Sequence, residues 1–168
     1  MTSSSSRVAP RPAEIVREYG PFEGVQRVGG VSFDGHQVWA ATGAALMAFD
    51  PASGEPTRRI EQGADAGTAF DGKHLWQITE QRIDKIEAAS GRLLKSIPAP
   101  GGGADSGLTW AEGSLWVGQY RDRKIHQIDP ESGAVLRTIE SDGGDLFYCG
   151  GGGSGKVRAV RRPAKRAS

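Results

Sequence analysis

Three groups of side chains in this sequence are spaced as if for chemistry. The run CGGGGSGK, Cys149 to Lys156, keeps Gly150, Gly155 and Lys156 at the G-x-x-x-x-G-K spacing of a phosphate clamp. A second group lies in short glycine-flanked or turn-like stretches: Asp65 in GADAG, Glu80 in TEQR, Asp105 and Ser106 in GGADSG, and Gln119, Tyr120, Arg121 and Asp122 in GQYRDRK. Carboxylates, a phenol and a guanidinium converging on one pocket suit proton transfer or recognition of a small polar molecule or peptide. The third group is His36, His74, His126 and the lone Cys149, the residue types that ligate metals or act as bases and nucleophiles.

Two of these chemistries lack the elements they need. A nucleotide clamp requires a hydroxyl after the lysine and a helix whose N-terminus meets the phosphates. Val157 stands at the hydroxyl position, and the following VRAVRRP alternates apolar with basic residues and stops at Pro163, which reads as a strand. The glycine run is therefore expected to be the turn of a hairpin, whose amides suit an anion but not a Walker motif. His36 and His74 fall just after turn residues and His126 in a strand, so they do not converge; no metal and no cofactor is expected. Cys149 has no base placed beside it and reads as a small buried apolar residue.

The elements that must carry the polar loops are strands. With 25 glycines and 9 prolines spread along 168 residues and few helix-length amphipathic windows, the composition is all-β. Four segments align: VSFDGHQVWAAT from Val31, TAFDGKHLWQIT from Thr68, LTWAEGSLWVGQ from Leu108 and IESDGGDLFYCG from Ile139. Each sets a turn such as Asp34-Gly35 or Asp71-Gly72 between two apolar runs, the signature of a hairpin, and Trp39, Trp76, Trp116 and Phe147 follow at a matching offset. A second hairpin follows in LMAFDPASGEPTRRI, IDKIEAASGRLLKSI and IHQIDPESGAVLRTI, where Gly54, Gly91 and Gly133 take the left-handed turn position. Four-stranded units of this size predict a β-propeller of about four blades, with the tryptophans in the core between blades.

The last repeat lacks a fourth strand, and AEIVREYG near the N-terminus supplies one. Ile15 matches Leu93 and Val135, and Tyr19 matches Ile97 and Ile139. The expected organisation is a tail at 1–12, one domain at 13–163 with a closing strand at 13–20 and blades at about 25–62, 63–100, 101–141 and 142–163, and a basic tail at 164–168. One junction strains it: Trp39 to Trp76 is 37 residues and Trp76 to Trp116 is 40, but Trp116 to Phe147 is 31. Ile139 and Glu140 are claimed by the end of one blade and the start of the next. Either the outer strand of the third blade is shortened, or the first strand of the fourth is lost, or a blade is missing there and closure needs a homo-oligomer.

Charges nearly cancel, with 21 basic and 20 acidic residues and a net charge of +1, so no nucleic-acid or membrane partner is expected. The basic stretch VRAVRRPAKRAS reads as a solvated terminus. One cysteine fits a reducing compartment; MTSSSSRVAPRPAE has no apolar signal core, and no apolar run approaches the roughly eighteen residues of a membrane span. A cytoplasmic location is expected.

With GLTWAEGSLWVGQYRDRKIHQIDPESGAVLRTI in view, the sequence resembles the bacterial and plant-type glutaminyl cyclotransferase group, and more distantly the virginiamycin-lyase-like and pyrroloquinoline-quinone-like repeat propellers. The resemblance covers about Gly20 to Pro163 and rests on a blade motif shared by proteins of many activities. It implies five-bladed relatives in which a carboxylate at the start of an inner strand moves protons while an N-terminal glutamine cyclises. The matching positions here are Gly29, Ala66 and Ser106, none acidic; Asp65 and Asp105 stand one residue earlier. Three readings follow. The first is a non-catalytic binding or scaffold propeller with a ligand site at Asp65, Asp105, Ser106, Gln119, Tyr120 and Arg121. The second is a cyclotransferase-like enzyme using Asp105 or Glu80, and the third a blade-deleted or engineered propeller with no function of its own.

Overall fold

The computed structural model describes residues 14–140 and, as backbone, 157–161. The expectations for CGGGGSGK, for Phe147 and Cys149, and for both tails lie outside the described residues.

The first strand, β1 (Glu14–Tyr19), is followed by three antiparallel four-stranded meanders. Blade 1 holds β2 (Gly30–Phe33), β3 (Val38–Ala41), β4 (Leu46–Phe49) and β5 (Pro56–Ile60). Blade 2 holds β6 (Thr68–Phe70), β7 (His74–Thr79), β8 (Arg82–Glu87) and β9 (Leu93–Pro98). Blade 3 holds β10 (Gly107–Ala111), β11 (Ser114–Gln119), β12 (Lys124–Ile128) and β13 (Val135–Glu140). The last strand, β14 (Val157–Arg161), pairs antiparallel with β1, Tyr19 opposite Val157 and Glu14 opposite Arg161.

The hairpin turns behave as their residues demand. Gly35 and Gly72 have φ of 98° and 96°, and the aspartate before each gathers the turn. Asp71 accepts the amides of Lys73 and His74 through Oδ1 and the Trp76 indole N–H through Oδ2 at 2.9 Å; Asp34 does the same for His36, Gln37 and Trp39. Burial works against the charge on Asp71, but the His74 amide, the Trp76 indole and the Lys73 amide outweigh it and hold the carboxyl below its usual range. Blade 3 turns on Glu112-Gly113 instead, and the Trp116 indole donates to the Ala111 carbonyl at 3.3 Å.

The core lies between the blades, which is why the strands are apolar on both faces. Trp39, Leu46 and Ile60 of blade 1 meet Leu75 and Ile86 of blade 2. On the other side of blade 2, Trp76, Ile83 and Ile97 meet Leu115, Val117 and Ile128 of blade 3, with Trp76 stacked on Trp110 at 6.2 Å between ring centroids. Full burial of each of these aliphatic side chains is worth about 1.5–3 kcal/mol. The inner strands β2, β6 and β10 converge so tightly that a Cβ on Gly67 would lie 2.3 Å from the Leu108 nitrogen, a position only glycine fills.

β1 occupies the position of an outer strand on the far side of blade 1. Tyr19 and Phe22 pack on Phe49, with Ala40 and Met47 beside them. Arg17 donates to the Ala52 carbonyl across this seam as Arg58 donates to the Ala88 carbonyl across the next. Ile139 and Glu140 belong to blade 3, where they pair with Ile125 and Lys124. The six-residue β13 equals β9 in length, so the expectation of a shortened outer strand is corrected, and the fourth aligned segment loses its first two residues to blade 3.

Candidate functional site

A cavity of about 690 Å³ opens where the connections between blades meet the turns of the second and third strands. Arg27 and Gly29 line it from the β1–β2 connection, Asp65 and Ala66 from β5–β6, and Gly103, Ala104, Asp105 and Ser106 from β9–β10. Glu80 comes from the β7–β8 turn and Tyr120 and Arg121 from the β11–β12 turn, with Ile78 beneath. Each blade returns its chain to the same end of the channel, and residues far apart in sequence gather there for that reason.

The connections are held by their own polar side chains. Asp105, 8% exposed, accepts the Gly101 amide at 2.9 Å through Oδ2 and the Gln119 side-chain amide at 3.1 Å through Oδ1. A Cβ on Gly101 would sit 2.6 Å from both Asp105 Oδ1 and Gln119 Nε2, so the glycine makes room for the pair. Ser106 Oγ donates to the Gly118 carbonyl at 2.9 Å and accepts the Tyr120 amide at 3.3 Å. Asp65 Oδ2 accepts the Glu80 amide at 3.2 Å, and Glu80 itself has φ of 52°, a left-handed conformation in a tight turn.

The cavity thus brings together Asp65, Asp105, Ser106, Tyr120 and Arg121, together with Glu80. Gln119 is placed otherwise: it is buried behind Asp105 as a brace and does not line the cavity. Gly103 and Ala104 line the cavity from the GGADSG stretch named above, while Arg27 escaped the sequence reading. A signal for Arg27 exists, since it stands three residues before Gly30, in the stretch that holds Asp65 and Asp105 ahead of Gly67 and Gly107. Among the described residues no ion pair joins Asp65, Glu80, Asp105, Arg27 or Arg121 to another side chain, so the cavity offers both carboxylates and guanidiniums to a guest.

The described residues include no group of three or more His, Cys, Asp or Glu arranged for a metal. His74 Nδ1 lies 3.2 Å from Asp71 Oδ2 and His126 Nδ1 2.9 Å from Thr138 Oγ1, both away from the cavity. Among the described residues no helix is long and apolar enough to cross a membrane.

No protein-family model matches the chain, and no curated protein matches it by sequence. Solved structures do match. Glutaminyl cyclase of Myxococcus xanthus is similar with a TM-score of 0.63 at 21% identity, over 76% of this chain and 56% of that one. The RRP9 WD40 repeats give 0.55 at 17% identity, over 77% and 42%, and hydrazine synthase of Kuenenia stuttgartiensis gives 0.54 at 16%, over 71% and 37%. The chain therefore spans a little over half of the glutaminyl cyclase and about two-fifths of the others. Three meanders side by side around Gly30, Gly67 and Gly107, a first strand paired with the last, and this likeness together make the chain an all-β propeller.

Proposed function

We propose that the chain is a binding propeller that seats a small polar molecule or the end of a peptide in the channel-mouth cavity and carries out no reaction on it. The observation that carries this reading is the use already made of the carboxylates. Asp65 accepts the Glu80 amide of the neighbouring turn, and Asp105 the Gly101 amide of its own loop and the Gln119 side chain, so both brace the cavity wall, while Arg27, Arg121 and Glu80 remain at its rim without ion-pair partners among the described residues. Such walls recognise charge by position and not by proton transfer.

The likeness to a glutaminyl cyclase supports a second reading, with Asp105 or Glu80 as the proton shuttle and Tyr120 and Arg121 positioning a peptide that begins with glutamine. One experiment separates them. Amino acids and dipeptides, including ones that begin with glutamine, are screened for thermal stabilisation of the chain, and ammonia is measured in the same samples. Stabilisation that is lost in Arg121→Ala, with no ammonia at high protein concentration, supports the binding reading. Ammonia release abolished by Asp105→Asn or Glu80→Gln overturns it in favour of the enzyme.

A further inference from the structure

The seam between blades 1 and 2, both walls of which are described, holds three buried side-chain oxygens without a hydrogen-bond partner among the described residues: Ser32 Oγ, Thr68 Oγ1 and Gln77 Oε1. All three face into that seam. Ser32 pairs across β2 and β3 with Trp39 and shares its face, which packs on Leu75 and Ile86 of blade 2. Thr68 pairs with Gln77, and Gln77 stands two residues beyond Leu75 on the face of β7 that looks back at blade 1. The inner strands bring the two walls together at this level: a Cβ on Gly30, two residues before Ser32 on the same face, would lie 2.9 Å from the Thr68 nitrogen. Turning the Gln77 amide over does not satisfy it. Its Nε2 donates to the carbonyls of Ala66 at 3.2 Å and Ile78 at 2.6 Å, and the reversed amide would set its oxygen against both. Gln77 is 0% and Thr68 2% exposed, so bulk solvent serves neither. The equivalent cross-strand pairs are apolar, Val31–Ala40 in blade 1 and Leu108–Val117 in blade 3, so among the three blades the polar pair is particular to blade 2.

We propose that this seam is a binding site for one internal water molecule, which accepts hydrogen bonds from the hydroxyls of Ser32 and Thr68 and donates one to Gln77 Oε1. Two donors and one acceptor match the roughly three bonds that an internal water makes to otherwise unpaired groups, whereas the same groups left unpaired in an apolar seam would each cost stability. The water has a positioning role. It orients the Gln77 carboxamide, which in turn holds the carbonyl of Ala66, a residue of the cavity wall. The inference is independent of what the cavity binds.

The test pairs a crystal structure of the full chain, at a resolution that shows ordered water, with thermal unfolding of Thr68→Val, a change of nearly constant shape that removes one hydroxyl. Expected are a water within about 2.6–3.2 Å of Ser32 Oγ, Thr68 Oγ1 and Gln77 Oε1, and a midpoint lowered by roughly 2–6 °C in the variant. The parent's midpoint is expected to be the same in sodium and potassium buffers. Thr68→Ser keeps the hydroxyl and is expected to keep the water in its own crystal structure. A direct hydrogen bond from Thr68 to Gln77 with no water between them overturns the proposal, as does a serine variant without the water. So does a midpoint that rises in Thr68→Val, since an unpaired hydroxyl has then been removed, or one that follows the identity of the cation, since the guest is then an ion.

Discussion

The hydroxyl of Tyr19, near the start of the chain, donates to the carbonyl of Pro51 at 3.0 Å, and its ring lies 5.0 Å from that of Phe49. This contact fixes β1 on blade 1, and β1 in turn carries β14 from the other end of the chain. Tyr19→Ala removes a buried ring and its hydrogen bond and is expected to cost about 2–4 kcal/mol in urea unfolding. Deleting residues 1–20 strips Tyr19 from Phe49 and leaves β14 without its partner β1, and is expected to unfold or aggregate the chain, whereas deleting residues 1–12 changes stability by no more than about 0.5 kcal/mol.

Acid should expose the role of Asp71. Its carboxyl is held below the usual range in the fold, so its contribution is complete above about pH 4 and disappears as pH falls through the folded value. Asp71→Asn is therefore expected to lower stability at neutral pH and to flatten the loss of stability below about pH 4. A parent and variant with parallel stability curves from pH 7 to pH 2 would contradict this role.

The convergence of inner strands gives a paired test at equivalent repeat positions. Gly67→Ala drives a methyl group into the backbone of blade 3 and is expected to destabilise by about 3 kcal/mol or more. Gly107→Ala meets nothing within 4 Å and should stay within about 0.5 kcal/mol of the parent. Chemical denaturation of the two variants side by side reads the difference.

The fold was legible because each blade repeats local signals: an Asp-Gly or, in blade 3, a Glu-Gly turn, a tryptophan four or five residues after its acid, and a second Ser-Gly turn. The closing strand was legible for the same reason, Tyr19 matching Ile97. What escaped was set by tertiary contact. The indole bonds from Trp39 and Trp76 to Asp34 and Asp71 need the hairpin's geometry, although the five-residue spacing records them once known. Gln119 read as a loop residue, but the alternation of β11 turns it inward onto Asp105. Arg27 lies in a connection with no period, and only the assembled blades bring it to the cavity.

The brace behind the cavity makes its own prediction. Gln119→Leu leaves a buried carboxylate oxygen without its side-chain donor and is expected to cost about 1–3 kcal/mol. Gln119→Glu, which sets two carboxylates together, should cost more, and Asp105→Asn in that background should restore part of the loss. A double-mutant cycle by thermal unfolding measures the coupling.

The central claim, a cavity that binds without reacting, is tested most directly by nitrogen-resolved NMR of the labelled chain titrated with the amino-acid and dipeptide panel. At least one compound is expected to shift the amides of Glu80, Ser106 and Tyr120 saturably while its own spectrum stays unchanged on long incubation. A panel that leaves those three amides unmoved, or a compound converted to product as they move, would contradict the account.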